Sequence, residues 1–96
     1  MAKKPIGQCT RLELNGNAGN SKGINWDERA HRVQVLALGP EPVNYSTAEN
    51  PETSLLLMVI NVGEEIYLES AEQAMAFRAV SATAEVTEIA YQQFED

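Results

Sequence analysis

One histidine and one cysteine make up the whole imidazole and thiol inventory of these 96 residues. A Ser-His-Asp or Cys-His arrangement would have to use His31 as its base. His31 stands beside Arg29 and Arg32, whose charges disfavour an imidazolium. No nucleophile turn of the Gly-x-Ser-x-Gly kind is expected anywhere in the chain. Zinc needs three or four Cys, His or carboxylate ligands, and Cys9 and His31 are the only soft ones. Glu64, Glu65 and Glu69 could gather around a hard cation, but no loop of spaced Asp and Asn supports them, so they read as a solvated acidic face. The inventory points away from an enzyme, a metal or any other cofactor.

Two further patterns invite chemistry. Residues 15–23, NGNAGNSKG, put glycines, a serine and a lysine together. A phosphate loop requires Gly, four residues, then Gly-Lys-Ser/Thr. Counted from Gly16, the second glycine position holds Ser21 and the final hydroxyl position holds Gly23. The stretch therefore reads as a hairpin loop, with anion binding by its amides the lesser reading. Arg11, Lys22, Trp26, Arg29 and Arg32 could form a modest basic patch beside the single tryptophan, too thin for nucleic acid to be favoured as a partner.

The net charge of −7 is unevenly spread. Residues 1–32 hold six basic and three acidic groups, a sum of +3; residues 33–96 hold Arg78 against eleven acids, a sum of −10. The second part is unsuited to a phosphate backbone and suited to solubility, or to docking on a basic protein surface. It could also imitate nucleic acid toward a nucleic-acid-binding protein. After Met1 come Lys3, Lys4 and Pro5 with no apolar run behind them, so a cytoplasmic protein is expected. The six apolar residues Leu55–Ile60 are far short of the roughly 20 a membrane helix needs.

The elements that must position these residues follow from periodicity. A single domain is expected over residues 8–96, preceded by a flexible arm over 1–7. Alternation predicts a strand over 8–14, with Leu12 and Leu14 on one face, and another over 31–38, with Val33, Val35 and Ala37 on one face. Residues 24–30 suit either a helical turn capped by Asn25 or the start of the second strand. Gly39-Pro40-Glu41-Pro42 stops that strand and opens a long loop to Thr53, with Asn44, Tyr45 and Ser46 as contact residues at its middle. Ser54–Glu69 reads as a core hairpin turning at Asn61-Val62-Gly63, with Gly63 left-handed. Ser70 and Gln73 form a capping box that starts a helix over 71–81, which would cover the sheet side bearing Leu56, Met58 and Ile60. Residues 83–94 fit both periods; Val, Thr, Ile and Tyr favour a strand.

The order of these pieces resembles that of small, functionally unassigned proteins of tailed bacteriophages. Cys9 opens a strand, and VQVLAL follows the Gly/Asn loop. Asn44 and Tyr45 come next, then Asn50-Pro51-Glu52-Thr53 leading into SLLLMVIN, and Gly63 before EEIYLE. The resemblance spans residues 9–69, and the segment from Ser70 has no counterpart. It implies a phage origin and a β-rich domain, and no activity.

The reading that results is an α+β domain: a mainly antiparallel sheet of four or five strands with one helix packed on a face. Its expected function is binding, without catalysis, of a host protein with a basic surface or of a small ligand. A virion component is the alternative, and a homo-oligomer is allowed for. The candidate contact surface is Trp26, Asn44, Tyr45, Ser46, Glu64, Glu65 and Glu69.

Overall fold

The computed structural model describes residues 4–17, 19–48 and 56–95. They form an α+β fold: seven strands in two antiparallel sheets and one short helix. In chain order the elements are β1 (Lys4–Leu14), β2 (Arg32–Gly39), β3 (Val43–Ser46), β4 (Met58–Ile60), β5 (Glu65–Leu68), α1 (Ala71–Ala76), β6 (Arg78–Ser81) and β7 (Thr87–Glu95). One sheet has the order β1-β7-β2-β5 and the other β4-β3-β6.

Three long strands bend from one sheet into the other. β2 pairs with β5 (Val33↔Leu68 to Leu36↔Glu65), and the strands that continue them, β3 and β4, pair with each other (Val43↔Ile60 to Tyr45↔Met58). The third bent strand is β6–β7, with β6 on β3 and β7 on β2. Proline supplies the corner after β2, where the Gly39–Pro40 bond is cis. Thr87 latches this corner from inside: its hydroxyl donates to the Glu41 carbonyl (2.7 Å) and accepts from the Glu41 N–H (3.0 Å).

The hairpin expected over 54–69 therefore has its turn and not its pairing. Gly63 is left-handed (φ 86°), as its place in the turn requires. The Glu64 N–H closes the turn on the Asn61 carbonyl; the Gly63 N–H donates to the Ala37 carbonyl, and the Ala37 N–H to the Glu64 carbonyl. The two strands then diverge into different sheets, because β3 and β2 each offer a paired edge that a two-stranded ribbon would lack. Residues 49–55, which include the start of that hairpin, lie outside the described residues, as do Met1–Lys3.

Alternation sorts the side chains as the period of two demands. Leu14, Val33, Val35, Ala37, Leu68 and Ile89 from one sheet meet Val43, Tyr45, Ile60 and Ala79 from the other in a single core. Phe77, fully buried, stacks on Tyr45 with ring centroids 5.7 Å apart. The helix begins where the capping box placed it: Ser70 Oγ accepts the Gln73 N–H, and Gln73 Oε1 accepts the Glu69 N–H. It ends at Ala76, not near 81. From Arg78 the chain becomes β6, since residues 78–81 complete the ladder on β3 and bury Ala79, Val80 and Ser81. α1 approaches β2 and β5; it does not cover Met58, which is 51% exposed on the edge strand β4.

The segment expected as a flexible arm is in part the start of β1, because the far end of β7 supplies a partner for it: Lys4 pairs with Glu95, Pro5 with Phe94 and Ile6 with Gln93. Residues 83–94 are largely β7, a strand as expected.

Candidate functional site

The residues singled out in the sequence fall in three separate places. Asn44, Tyr45 and Ser46 lie on β3, the central strand of the smaller sheet, instead of in an open loop. Tyr45 is 7% and Ser46 8% exposed, which leaves them little surface for a partner, and Asn44 is half-buried. The four-residue alternation Val-Asn-Tyr-Ser between proline and the next polar segment was too short to read as a strand. Tyr45 is held above the ordinary tyrosine range by burial.

Glu65 opens β5, the last strand of its sheet among the described residues, and Glu64 and Glu69 flank it in the chain. All three are exposed, and each is held by its own protein. Glu64 accepts the Asn61 N–H at 3.0 Å, Glu65 accepts from Tyr67 (3.2 Å) and from the Gln34 amide, and Glu69 pairs with Arg32 at 3.1 Å. The Arg32 guanidinium lies 3.8 Å from the centre of the Tyr67 ring, a cation–π geometry. Glu65 pushes the Tyr67 hydroxyl upward in pKa chiefly by accepting its hydrogen bond. The result is three hydrogen-bonded carboxylates at this edge, of which Glu69 is paired with Arg32.

Trp26 belongs to a third place, a cavity of about 390 Å³ between the first half of β1, residues 25–29 and the end of β7. A fault in the β1–β7 ladder makes room for it. Ile6 pairs with Gln93 and Thr10 with Tyr91, so three residues of β1 (7, 8 and 9) face the single Gln92. Gly7 permits the bulge by taking a left-handed φ of 66°, and the Gln92 side-chain amide donates to the carbonyls of Ile6 and Gly7 (3.2 and 3.3 Å).

Residues 24–27 are neither helix nor strand. β7 side chains take the place of a ladder there: Tyr91 Oη accepts the Asn25 N–H, Gln93 Oε1 accepts the Asp27 N–H at 2.7 Å, and Gln93 Nε2 donates to the Asn25 carbonyl. Asp27 caps the turn that follows and grips Arg29 through both carboxylate oxygens (3.1 and 3.0 Å). That hydrogen bond from Arg29 holds the Asp27 carboxyl below its ordinary pKa and raises that of Arg29. Trp26 packs half-buried against the core, and its indole N–H is buried without a hydrogen-bond partner, alone in this among the described residues. Sequence reading found Trp26 by residue type. It missed Tyr91, Gln92 and Gln93, whose partners lie about 66 to 86 residues away.

The other candidates for chemistry are engaged elsewhere. Contrary to expectation, Gly19-Asn20-Ser21-Lys22-Gly23 does have the Gly-x-Ser-x-Gly spacing. It forms no strand-to-helix elbow: Lys22 makes an isolated bridge to Ala79, and Ser21 Oγ accepts from Arg78 Nε at 3.1 Å. The Lys22 ammonium donates to the Glu13 carbonyl at 2.8 Å. Cys9 is exposed. Among the described residues no three His, Cys, Asp or Glu side chains are grouped to hold a metal ion, and no helix is long and apolar enough to cross a membrane. No protein family, curated protein or solved structure matches the chain.

Proposed function

We propose that this chain is a non-enzymatic, phage-encoded binding protein that works in the host cytoplasm by occupying a host protein with a basic surface, for instance as a host-defence inhibitor. The acidic β5 edge carries this reading. An outermost strand offers backbone N–H and C=O groups to an incoming extended segment, and Glu64, Glu65 and Glu69 set a negative field beside them. Because each carboxylate is already hydrogen-bonded in place, less side-chain freedom is lost on docking. A Lys- or Arg-rich segment is the complementary partner.

A pull-down from host lysate tests this. The parent chain should retain a specific protein at low salt and release it at about 0.5–1 M salt, where surface charge is screened. The Glu64→Gln/Glu65→Gln/Glu69→Gln variant should retain none. A partner held equally well by the variant would sink the reading.

One observation favours a second reading, a virion component built from copies of the chain. The edge strand β4 and its neighbours expose Leu57 (77%), Met58 (51%) and Val59 (52%), and an exposed apolar strand edge is a natural template for pairing. Stoichiometric presence in purified particles, measured by mass spectrometry, would replace the inhibitor reading with this one.

A further inference from the structure

We infer that the open edge of β4 pairs with the β4 of a second copy of this chain, antiparallel and in a two-fold register centred on Met58. The inference rests on the exposed strand of the virion reading and names its contact. Among the described residues the two sheets have four outer strands, β1, β5, β4 and β6. Three of them carry features that oppose edge-to-edge pairing. β6 is covered: Lys22 exchanges both backbone hydrogen bonds with Ala79, and the Asn15 carbonyl accepts the Ser81 N–H. β1 is broken by its bulge and contains Pro5, which has no N–H to donate. β5 is lined by the exposed Glu64, Glu65 and Glu69, and the Glu69 N–H is taken by Gln73. β4 has none of these. It lies in the longest charge-free stretch of the sequence, residues 53–63, and exposes Leu57, Met58 and Val59.

The direction of the backbone groups selects the occupant. Both groups of Ala79 bond outward to Lys22, and direction alternates along an antiparallel strand. Arg78 and Val80 therefore bond to Ser46 and Asn44, and Val43 and Tyr45 bond to Ile60 and Met58. The N–H and C=O of Val59 are left pointing to the open side, and the same alternation carries on to Leu57. With Met58 facing its own counterpart across a two-fold axis, Val59 stands opposite Leu57 of the second copy and Leu57 opposite its Val59. Each of these pairs exchanges both N–H···O bonds, and their side chains close a four-residue apolar cluster on one face. A basic segment gains nothing from an uncharged edge. Two chains of net charge −7 meet here without setting like charges opposite each other. The pairing is isologous and closes at two copies. With so few residues a side it stays below the roughly 1,200 Å² of stable interfaces, so the dimer is weak. Salt strengthens it by screening the repulsion between the two chains, the opposite of its effect on docking at β5.

Sedimentation equilibrium of the full chain, at about 50 mM and about 500 mM salt, tests this. The 10.5 kDa mass should rise toward its double with a Kd under about 1 mM, severalfold lower at the higher salt. Leu57→Lys/Val59→Lys alters two exposed side chains and should stay monomeric, with the melting temperature of the dilute parent. Met58→Cys in a Cys9→Ser background tests the register. Facing residues of this kind stand about 4.5 Å apart at Cα, a separation that suits a disulfide. Oxidation should link two copies about tenfold faster than in Glu72→Cys, exposed on α1. A chain that is monomeric at about 1 mM overturns the inference and leaves the edge to a different protein. A double variant that still dimerises, or equal oxidation rates for the two cysteine variants, overturns it as well. Particle composition decides the virion reading separately, so either can fail while the other stands.

Discussion

Tyr45 sets an alkaline limit on the fold. Its ring packs on Phe77 in the core, and burial raises its pKa above the ordinary value of 10.0. A raised value means that the folded state favours the neutral phenol. The associated stability is fully present below about pH 10 and is lost as pH rises through the folded value. Melting temperatures between pH 8 and 11 should fall steeply at the upper end for the parent chain and less steeply for Tyr45→Phe. Tyr67 is raised chiefly by its bond to Glu65 on an exposed edge, so Tyr67→Phe should leave most of the fall in place. At this scale the sequence is a partial guide. Glu64, Glu65 and Glu69 were legible as a group because they are neighbours in the chain. Tyr45 reads as a contact residue by type, which suits both a paratope and a core, and the structure places it in the core. Tyr91, Gln92 and Gln93 acquire meaning only through partners far away in sequence.

Among the elements, the corner between β2 and β3 depends on one side chain. Thr87 has no exposed surface, and its hydroxyl satisfies both backbone groups of Glu41. Thr87→Val conserves shape and strands those groups together. The expected cost is about 2 kcal/mol, measured by urea denaturation as a lower midpoint with an unchanged slope. The strands near 8–14 and 31–38 and the strand over most of 83–94 were readable because each is long enough to show alternation. β3, β4 and β6 are three or four residues each, at most two periods of a strand's alternation. β6 was hidden further by Ala, Met and Phe upstream, which favour a helix locally until the β3 ladder outweighs that preference. The capping box was readable because it is local, and it gave the helix start and not its end.

The whole molecule measures 40 × 26 × 17 Å with a radius of gyration of 12.6 Å, close to the roughly 12–13 Å expected for a compact chain of this size. Its long dimension approaches the reach of the 11-residue β1, about 36 Å at 3.3 Å per residue. The acidic β5 edge and the cavity are at opposite sides of the larger sheet, since β5 and β1 are its two outer strands. The division into two sheets was not legible in the sequence, because it depends on where three strands bend.

The antiparallel run of β1 along β7 also has a mechanical consequence. Lys4 and Glu95 sit opposite each other at one end of the ladder, so tension applied through those two residues loads one rung at a time and peels the strands apart. The ladder would yield pair by pair from Lys4↔Glu95 to Ile6↔Gln93, and then at the bulge. A single-molecule pulling trace should show a low-force step for this peeling, separate from a later rupture of the bent-strand core. Stretched through Lys4 and Glu95, the molecule would lose the β1 wall of its cavity while the pairings of β2 and β3 were still largely intact.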